Sequence, residues 1–308
     1  MNTLTIGSRK SQLAQTQSNM VRRQLLDAWP DLTVNIQLMD TRGDLNRKDP
    51  LPEIGGKGLF TQELEDALRQ HRIDLAVHSL KDLPVEDSPG LTVVAIPLRA
   101  PTHDMLVCRK ASRVEDLPQG AVVGTSSLRR AAQLLAVRPD LKIKDIRGNV
   151  DTRLRKLDDP AQGYDAILLA QAGLNRLGHT DLEHAHPIPY ELMLPAPGQG
   201  ALGVQGRAGD PETDRWLAPL DDRATRAAAT AERAFLAGLG GGCSIPVGAL
   251  AQVDGEQLAL QANVASPDGS RIIRVSGTAA VESALALGQD LAAQAIAQGA
   301  QQLLTPDS

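Results

Sequence analysis

Residues 124–156 read GTSSLRRAAQLLAVRPDLKIKDIRGNVDTRLRK, with nine Arg/Lys against three Asp in a chain whose formal net charge is −5. Apolar residues 121–123 just ahead of them predict a strand. Leu128, Ala131, Ala132 and Leu135 then fall at i, i+3, i+4 and i+7, the spacing of one helix face. Thr125, Ser126 and Ser127 lie between the two as N-cap candidates. Strand, glycine-and-hydroxyl turn and helix form the repeating unit of an α/β sheet, so this stretch sets the fold class. The same reading places Arg129 and Arg130 in the first helical turn, where the macrodipole disfavours cations. An anion bound at the helix start would remove that conflict, with free backbone N–H groups and hydroxyls as further donors. Arg147, before the next expected helix, and Arg153, inside it, can converge on the same place. The stretch predicts a pocket for a molecule carrying several carboxylates or phosphates; the competing reading is a solvated basic face.

On either side of this stretch, strand-like and helical runs alternate through the first two-thirds of the chain. One set runs from residues 4–6 through a helix with Leu13, Met20, Val21 and Leu25 on one side, then 34–38, a helix around 60–69, and strands at 73–77 and 91–96. A second set comprises 105–108, 121–123, the arginine-bearing helix, 141–143, a helix after Asn149, and 166–170. Such alternation predicts parallel sheets covered by helices. A short repeat links the sets: Thr5-Ile6-Gly7-Ser8-Arg9-Lys10 resembles Val123-Gly124-Thr125-Ser126 and its arginines, each a strand, a glycine, a hydroxyl and then cations at a helix start. Ligands of open α/β sheets bind beyond the carboxyl ends of the strands. Two facing domains would therefore bring Arg9 and the 125–153 cluster to one cleft. Pro195-Ala196-Pro197-Gly198-Gln199-Gly200 marks a crossover or hinge. After it come a helix over 222–236, strands near 247–253, 257–264 and 271–276, and a long helix with Ala284, Leu287, Leu291 and Ala295 on one face. Residues 305–308 are expected to fray.

A length of 308 allows two or three domains, and 42% hydrophobic with 22% charged residues is ordinary for a soluble globular chain. Phe, Trp and Tyr number two each, which argues against nucleic-acid binding by base stacking. The acidic balance argues against broad affinity for phosphate backbones. The start MNTLTIGSRK reads as a strand entering a turn rather than a signal peptide, and no apolar run would span a bilayer, so a cytoplasmic protein is expected. Cys108 and Cys243 make neither a disulfide framework nor a CxxC metal pair. Residues 42–58, RGDLNRKDPLPEIGGKG, have four glycines, two prolines and seven charges, which fits a mobile lid or a plain surface loop.

Asp82, in His78-Ser79-Leu80-Lys81-Asp82-Leu83-Pro84, follows an apolar strand. Pro84 keeps Leu83 extended, so the chain is expected to leave the strand without starting a helix. The carboxylate is either an acid/base or cation-stabilising group or part of a surface Lys–Asp turn. Cys243 follows three glycines and is either an accessible thiol, nucleophilic or an attachment point, or a small buried hydrophobe. Cys108, flanked by Leu106 and Val107, fits the buried reading. His184 and His186 lack a third ligand at metal-site spacing, so no metal is expected. Ser127 has no GxSxG elbow, which excludes a serine hydrolase of that type.

GSRKSQLA, GGKGLF, HSLKDLP, GTSSLRR, RGNVDTRL, LPAPGQGALG and GGCSIPVG occur in this chain in the order found in porphobilinogen deaminases, also called hydroxymethylbilane synthases. The resemblance runs from Thr3 to about Val275. It implies two periplasmic-binding-protein-like α/β domains plus a small C-terminal α+β domain, at 1–98 with 199–219, 99–198 and 220–308. It also implies head-to-tail condensation of four porphobilinogens, with loss of ammonia, to 1-hydroxymethylbilane. The cofactor would be a dipyrromethane joined by a thioether to Cys243. Lys81, Asp82, Thr125, Ser127, Arg129 and Arg130 would bind that cofactor. Arg9, Ser11, Arg147 and Arg153 would receive the incoming ring, with Arg176 and Gln199 nearby. Asp82 would be the catalytic carboxylate, beside the azafulvenium cation left when the substrate loses its amine. The resemblance leans toward a monomer with no nucleic-acid or membrane partner. Glu53 stands where some members have lysine, and Gly240 where many have glutamate. A polycarboxylate-binding protein of the same fold, without chemistry, is the alternative; it explains the arginines but assigns nothing to Cys243 or Asp82.

Overall fold

The computed structural model describes residues 3–40, 61–241 and 245–304. The expected lid at 42–58, with Glu53 and Lys57, the cysteine Cys243 and the tail 305–308 lie outside the described residues. The chain divides into two compact units, 1–100 with 201–226 and 101–200 with 227–308.

The first unit is built on β1 (Thr3–Arg9), α1 (Gln12–Ala28), β2 (Thr33–Met39), α2 (Gln62–Arg69), β3 (Leu75–Ser79) and β4 (Leu91–Ala95). The second begins with β5 (Asp104–Val107), β6 (Val122–Gly124), α3 (Leu128–Val137), β7 (Lys142–Lys144), α4 (Val150–Asp158), β8 (Ala166–Ala170), α5 (Gln171–Arg176) and β9 (Ala185–Pro187). The chain returns to the first unit with β10 (Leu202–Arg207) and α6 (Pro211–Leu217), and α7 (Arg223–Gly238) follows. The second unit is completed by β11 (Val247–Asp254), β12 (Gln257–Ala265), β13 (Ile272–Ala280), α8 (Ala284–Ala297) and α9 (Ala300–Leu304).

The two larger sheets have the same plan, β2-β1-β3-β10-β4 and β7-β6-β8-β5-β9. In each, the second strand runs parallel to both neighbours, which is where the short sequence repeat falls, on β1 and β6. The repeat is a structural one. Helix α1 is capped by Ser11, whose Oγ accepts from Ala14 N, and α3 by Ser127, whose Oγ accepts from Arg130 N, both at 3.4 Å. The sheets are not wholly parallel as the alternation predicted. β10 runs antiparallel to β3 and β4, and β5 antiparallel to β8 and β9. The helical crossovers that enforce parallel pairing are absent at these strands: β5 and β10 are each the first strand after the chain passes from one unit to the other, at 100/101 and 200/201.

Each unit buries its own aliphatic core. Leu4, Ile6, Val21, Leu25, Val34, Leu75 and Val204 fill that of the first. In the second, Leu106, Val123, Leu134 and Leu168 pack beneath its five-stranded sheet, and Phe235, Leu260, Val264, Leu287 and Leu291 beneath the antiparallel β11-β12-β13 sheet. On α8 the face predicted from spacing, Ala284, Leu287, Leu291 and Ala295, is the buried one. Two helices differ from expectation. On α1, Met20 is exposed, and the buried stripe is Ala14, Gln17, Ser18, Val21 and Leu25. On α3, Leu128 is 47% exposed, whereas Arg129, Arg130 and Gln133 are buried beside Ala132 and Leu134. Gln17 on α1 is matched by Ser79, and Arg129, Arg130 and Gln133 on α3 by Asp104, Leu194 and Asn263, pairings that an apolar count does not detect.

Candidate functional site

In the first unit, parallel pairing of β1 with β3, Gly7 opposite Ala76, sets Arg9 and the 78–82 segment at the same strand ends. A single 3-10 turn, Leu80–Asp82, follows β3, so a short turn intervenes where none was expected; Leu83 is extended, as Pro84 requires. Leu80 and Leu83 are buried on either side of the turn, leaving Lys81 half-buried and Asp82 exposed. The leucines have room because position 203 on β10 is glycine, where a Cβ would stand 3.0 Å from Leu80 Cδ1 and 3.1 Å from Leu83 Cδ1. Leu80 N donates to Ala201 O at 3.0 Å, and Gln17 Nε2 donates to Ser79 Oγ at 2.8 Å, which fixes the turn against α1. Ser11 sits at the start of α1, its oxygen occupied as cap acceptor and its hydroxyl hydrogen left to donate.

His78, missed from sequence, is the buried member of this motif. Its imidazole is pushed down to about 4, chiefly by burial; Glu65 and Gln205 oppose that shift and Arg9 adds to it. It is a neutral ring under the strand end near neutral pH.

In the second unit, Arg129, Arg130 and Gln199 meet at one carboxylate that sequence reasoning did not assign. Because β5 is antiparallel, its first residue, Asp104, lies opposite Ala170, the last residue of β8. Asp104 is fully buried. Arg129 Nη1 donates to its Oδ2 at 2.7 Å, and Arg130 Nε and Nη2 donate to its Oδ1 at 2.9 and 2.7 Å. Gln199 Nε2 donates to the same Oδ1 at 3.0 Å and to Thr102 O at 2.8 Å. Arg129 Nη1 also donates to Leu194 O, and Arg130 Nη1 to Leu168 O. Burial alone would raise the Asp104 carboxyl, but the two guanidiniums outweigh it and hold the group well below the usual carboxylate range. The conflict between cations and helix dipole at α3 is thus relieved by a resident anion. Two guanidiniums facing one carboxylate still leave one positive charge in excess. The only sequence signal for Asp104 was a carboxylate heading the apolar run Met105–Val107.

Around this pair, Ser127 N donates to Thr125 Oγ1 and Thr125 N to Lys144 O. Ser126 Oγ donates to Ile146 O at 2.7 Å, tying the turn after β6 to the one after β7. The second turn carries Arg147, whose Nε donates to Asp145 Oδ2 at 3.0 Å, and leads into α4, capped by Asn149. Arg153 Nε, on α4, donates to Gly148 O at 2.9 Å, so Arg147 and Arg153 flank one loop. Arg176, the last residue of α5, donates to Gly200 O at 2.7 Å and is pushed down to about 10 by burial, which leaves it charged at neutral pH. Cys108 is buried and free, as expected, and no group of three His, Cys, Asp or Glu among the described residues is placed to hold a metal. Hydroxyls, guanidiniums and excess positive charge at strand and helix ends form a donor set suited to a ligand with several carboxylates.

A family model described as "Porphobilinogen deaminase, dipyromethane cofactor binding domain" matches residues 4–215, and one described as "Porphobilinogen deaminase, C-terminal domain" matches residues 226–297. The porphobilinogen deaminase of Roseiflexus castenholzii is 51% identical over 305 residues, covering 98% of this chain and 99% of the relative. That of Deinococcus deserti is 46% identical, covering 99% of this chain and 98% of the relative. Among solved structures, the methionine-binding protein MetQ aligns over 71% of this chain and 90% of that one at 14% identity, with a TM-score of 0.44.

Proposed function

The chain belongs to the porphobilinogen deaminase family, and from that premise we propose how its residues divide the work of hydroxymethylbilane synthesis. The reaction joins four porphobilinogens head to tail with loss of ammonia. Bound dipyrromethane supplies the nucleophilic pyrrole carbon for the first condensation. Cys243 holds that group through its sulfur, and Lys81, Thr125, Ser127, Arg129 and Arg130 bind its acetate and propionate groups. Arg9, Ser11, Arg147, Arg153 and Arg176 receive the carboxylates of the incoming ring. Gln199 serves through Asp104, orienting the carboxylate that aims both arginines.

The observation that carries this assignment is the buried Arg129–Asp104–Arg130 group, with its one uncompensated positive charge beside two hydroxyls. Each porphobilinogen brings two carboxylates, so a growing chain needs cations that are fixed before it arrives. A guanidinium already held in place loses less entropy on binding than a mobile one. Asp82 stabilises positive charge on the reacting pyrroles and moves protons in this reading, which its exposure on a turn held by two buried leucines supports. A carboxylate about 4 Å from such a cation contributes roughly 4 kcal/mol at an effective dielectric near 20. The division into domains at 1–98 with 199–219, 99–198 and 220–308 belongs to the same reading, supported by three separate sheets, as does a cytoplasmic monomer, which sedimentation of the purified protein tests. A polycarboxylate-binding protein without chemistry is not favoured, since the matching family domains are those of an enzyme.

Intact mass tests the assignment. Purified protein should exceed its chain mass by two porphobilinogens less two ammonias, and Cys243→Ser should abolish the increment. Asp82→Asn should keep the increment and the fold while lowering turnover by at least a hundredfold. Fully active protein of unmodified mass, or near-normal turnover in Asp82→Asn, contradicts it.

A further inference from the structure

The arginine helix α3 is bonded to the sheet that follows Cys243 in sequence by side chains that the reaction itself does not use. Gln133, on the buried face of α3, is 1% exposed, and Asn263, on β12, is 3% exposed. Asn263 Nδ2 donates to Gln133 Oε1 at 2.8 Å, and the same oxygen accepts from Leu194 N at 2.9 Å. Gln133 Nε2 returns a bond to Leu194 O at 3.1 Å, the carbonyl that also receives Arg129 Nη1. On the other side, Asn263 Oδ1 accepts from Gly248 N on β11 at 3.1 Å. Position 248 must lack a side chain, because a Cβ there would stand 2.9 Å from both Asn263 Oδ1 and Leu194 Cβ. A parallel connection runs through Glu232 on α7, which is fully buried and accepts from Gly198 N at 2.7 Å and Ala251 N at 2.8 Å. Ala249 N donates to Pro195 O at 2.9 Å. Residues 194–199 are therefore bonded to β11 and α7 through Pro195 and Gly198, and to Asp104, Arg129 and Gln133 through Leu194 and Gln199.

We propose that the Gln133–Asn263 amide pair, seated on Gly248 and Leu194, is a positioning clamp that sets the register between the strand after the attachment cysteine and the arginines of α3. It rests on the functional reading above and goes beyond it, since these residues touch no reacting atom. A buried pair of complementary amides suits this task. Each amide has donor and acceptor ends at fixed positions, so a shifted register leaves buried groups unpaired, whereas an apolar contact would tolerate sliding. The clamp's role is to let the first two porphobilinogens meet arginines already in place, so breaking it slows cofactor assembly more than it weakens the fold.

The test uses full-length protein produced without porphobilinogen, then mixed with porphobilinogen while intact mass is followed. Asn263→Asp keeps the acceptor for Gly248 N but turns the donor toward Gln133 Oε1 into a second acceptor; it should gain the two-ring mass at least tenfold more slowly than wild type. Gly248→Ala, which wedges the clamp without deleting any of its groups, should slow loading in the same direction and carries the test should the first variant not fold. Val281→Ala removes two methyl groups from the core of the β11-β12-β13 sheet away from the clamp and serves as the stability control; it should load within twofold of wild type at a comparable loss of melting temperature. Loading that tracks melting temperature across all three variants, or wild-type loading in Asn263→Asp, overturns the clamp. Wild-type protein that gains no mass refutes the functional reading instead.

Discussion

At the scale of single residues, the site depends on buried groups whose charge state is set by burial and by the charges packed against them. Asp104 carries the heaviest load, since it neutralises one of two buried guanidiniums and orients both. Breaking a buried ion pair by removing one partner is expensive because the other charge is left uncompensated. Asp104→Asn should therefore lower unfolding free energy by about 3–5 kcal/mol, measured by urea denaturation at pH 7; a loss under 1 kcal/mol would mean that the arginines find other partners. His78 makes the complementary prediction in acid. Its folded-state value of about 4 lies below the 6.5 of an exposed imidazole, so the unfolded chain takes up the proton first as pH falls. The stability from a neutral His78 is complete above about pH 6.5 and is lost progressively down to about pH 4, by roughly 3 kcal/mol. Urea midpoints between pH 7 and 4.5 should fall in wild type and fall less steeply in His78→Asn. Equal slopes would assign the acid limb to other groups.

At the scale of elements, α3 combines two tasks at its first turn, because Ser127 both caps the helix and faces the proposed carboxylate site. These separate on substitution. Ser127→Ala should cost about 1 kcal/mol of stability through the lost cap. Ser127→Asp should restore the cap, since its carboxylate accepts the same N–H, but should raise KM or stop cofactor loading by repelling the ligand's acid groups. Restored stability with normal loading would remove Ser127 from the binding site. The same helix shows where sequence reading works and where it fails. Its start, its cap and the anomaly of Arg129 and Arg130 were legible, because capping chemistry and dipole sign are local. Its buried face was not: Leu128 is out and Gln133 is in, because the partners are Asp104, Leu194 and Asn263, from 25 to 130 residues away. Helix α1 fails for the same reason through Gln17, whose partner is Ser79. The α8 face and the extents of β8, β11 and β12 were legible nearly to the residue, since apolar periodicity marks them, although the buried amide of Asn263 on β12 was not. The antiparallel direction of β5 and β10 was not, because nothing within a strand records which unit the chain has just left.

At the scale of the whole molecule, the repeated sheet plan means that one local device, a strand ending in glycine and hydroxyl before a serine-capped helix, occurs once in each unit, on β1 with α1 and on β6 with α3. Each copy supplies cations at a carboxyl edge: Arg9 in the first, Arg129 and Arg130 in the second. The second unit adds a further pair, Arg147 and Arg153, on a loop that Ser126 ties to the first device through Ile146. This addition bears on elongation. A product of four rings brings eight carboxylates to a chain with few fixed cations, so the same arginines must serve successive rings, and a ring already joined must release the cations that received it. Arg129 and Arg130 cannot take that part, being locked on Asp104. Arg147 and Arg153 can, since both are only half-buried and border a loop whose Asp145 and Gly148 are exposed. Arg147→Leu and Arg153→Leu should accordingly load dipyrromethane at near-normal rates and then stall, accumulating enzyme with one to three further rings where wild type proceeds to product. Mass spectra of enzyme quenched after mixing with porphobilinogen would show that ladder. Stalling before the dipyrromethane itself would instead assign these arginines to primer assembly and leave the handling of later rings to Arg9 and Lys81.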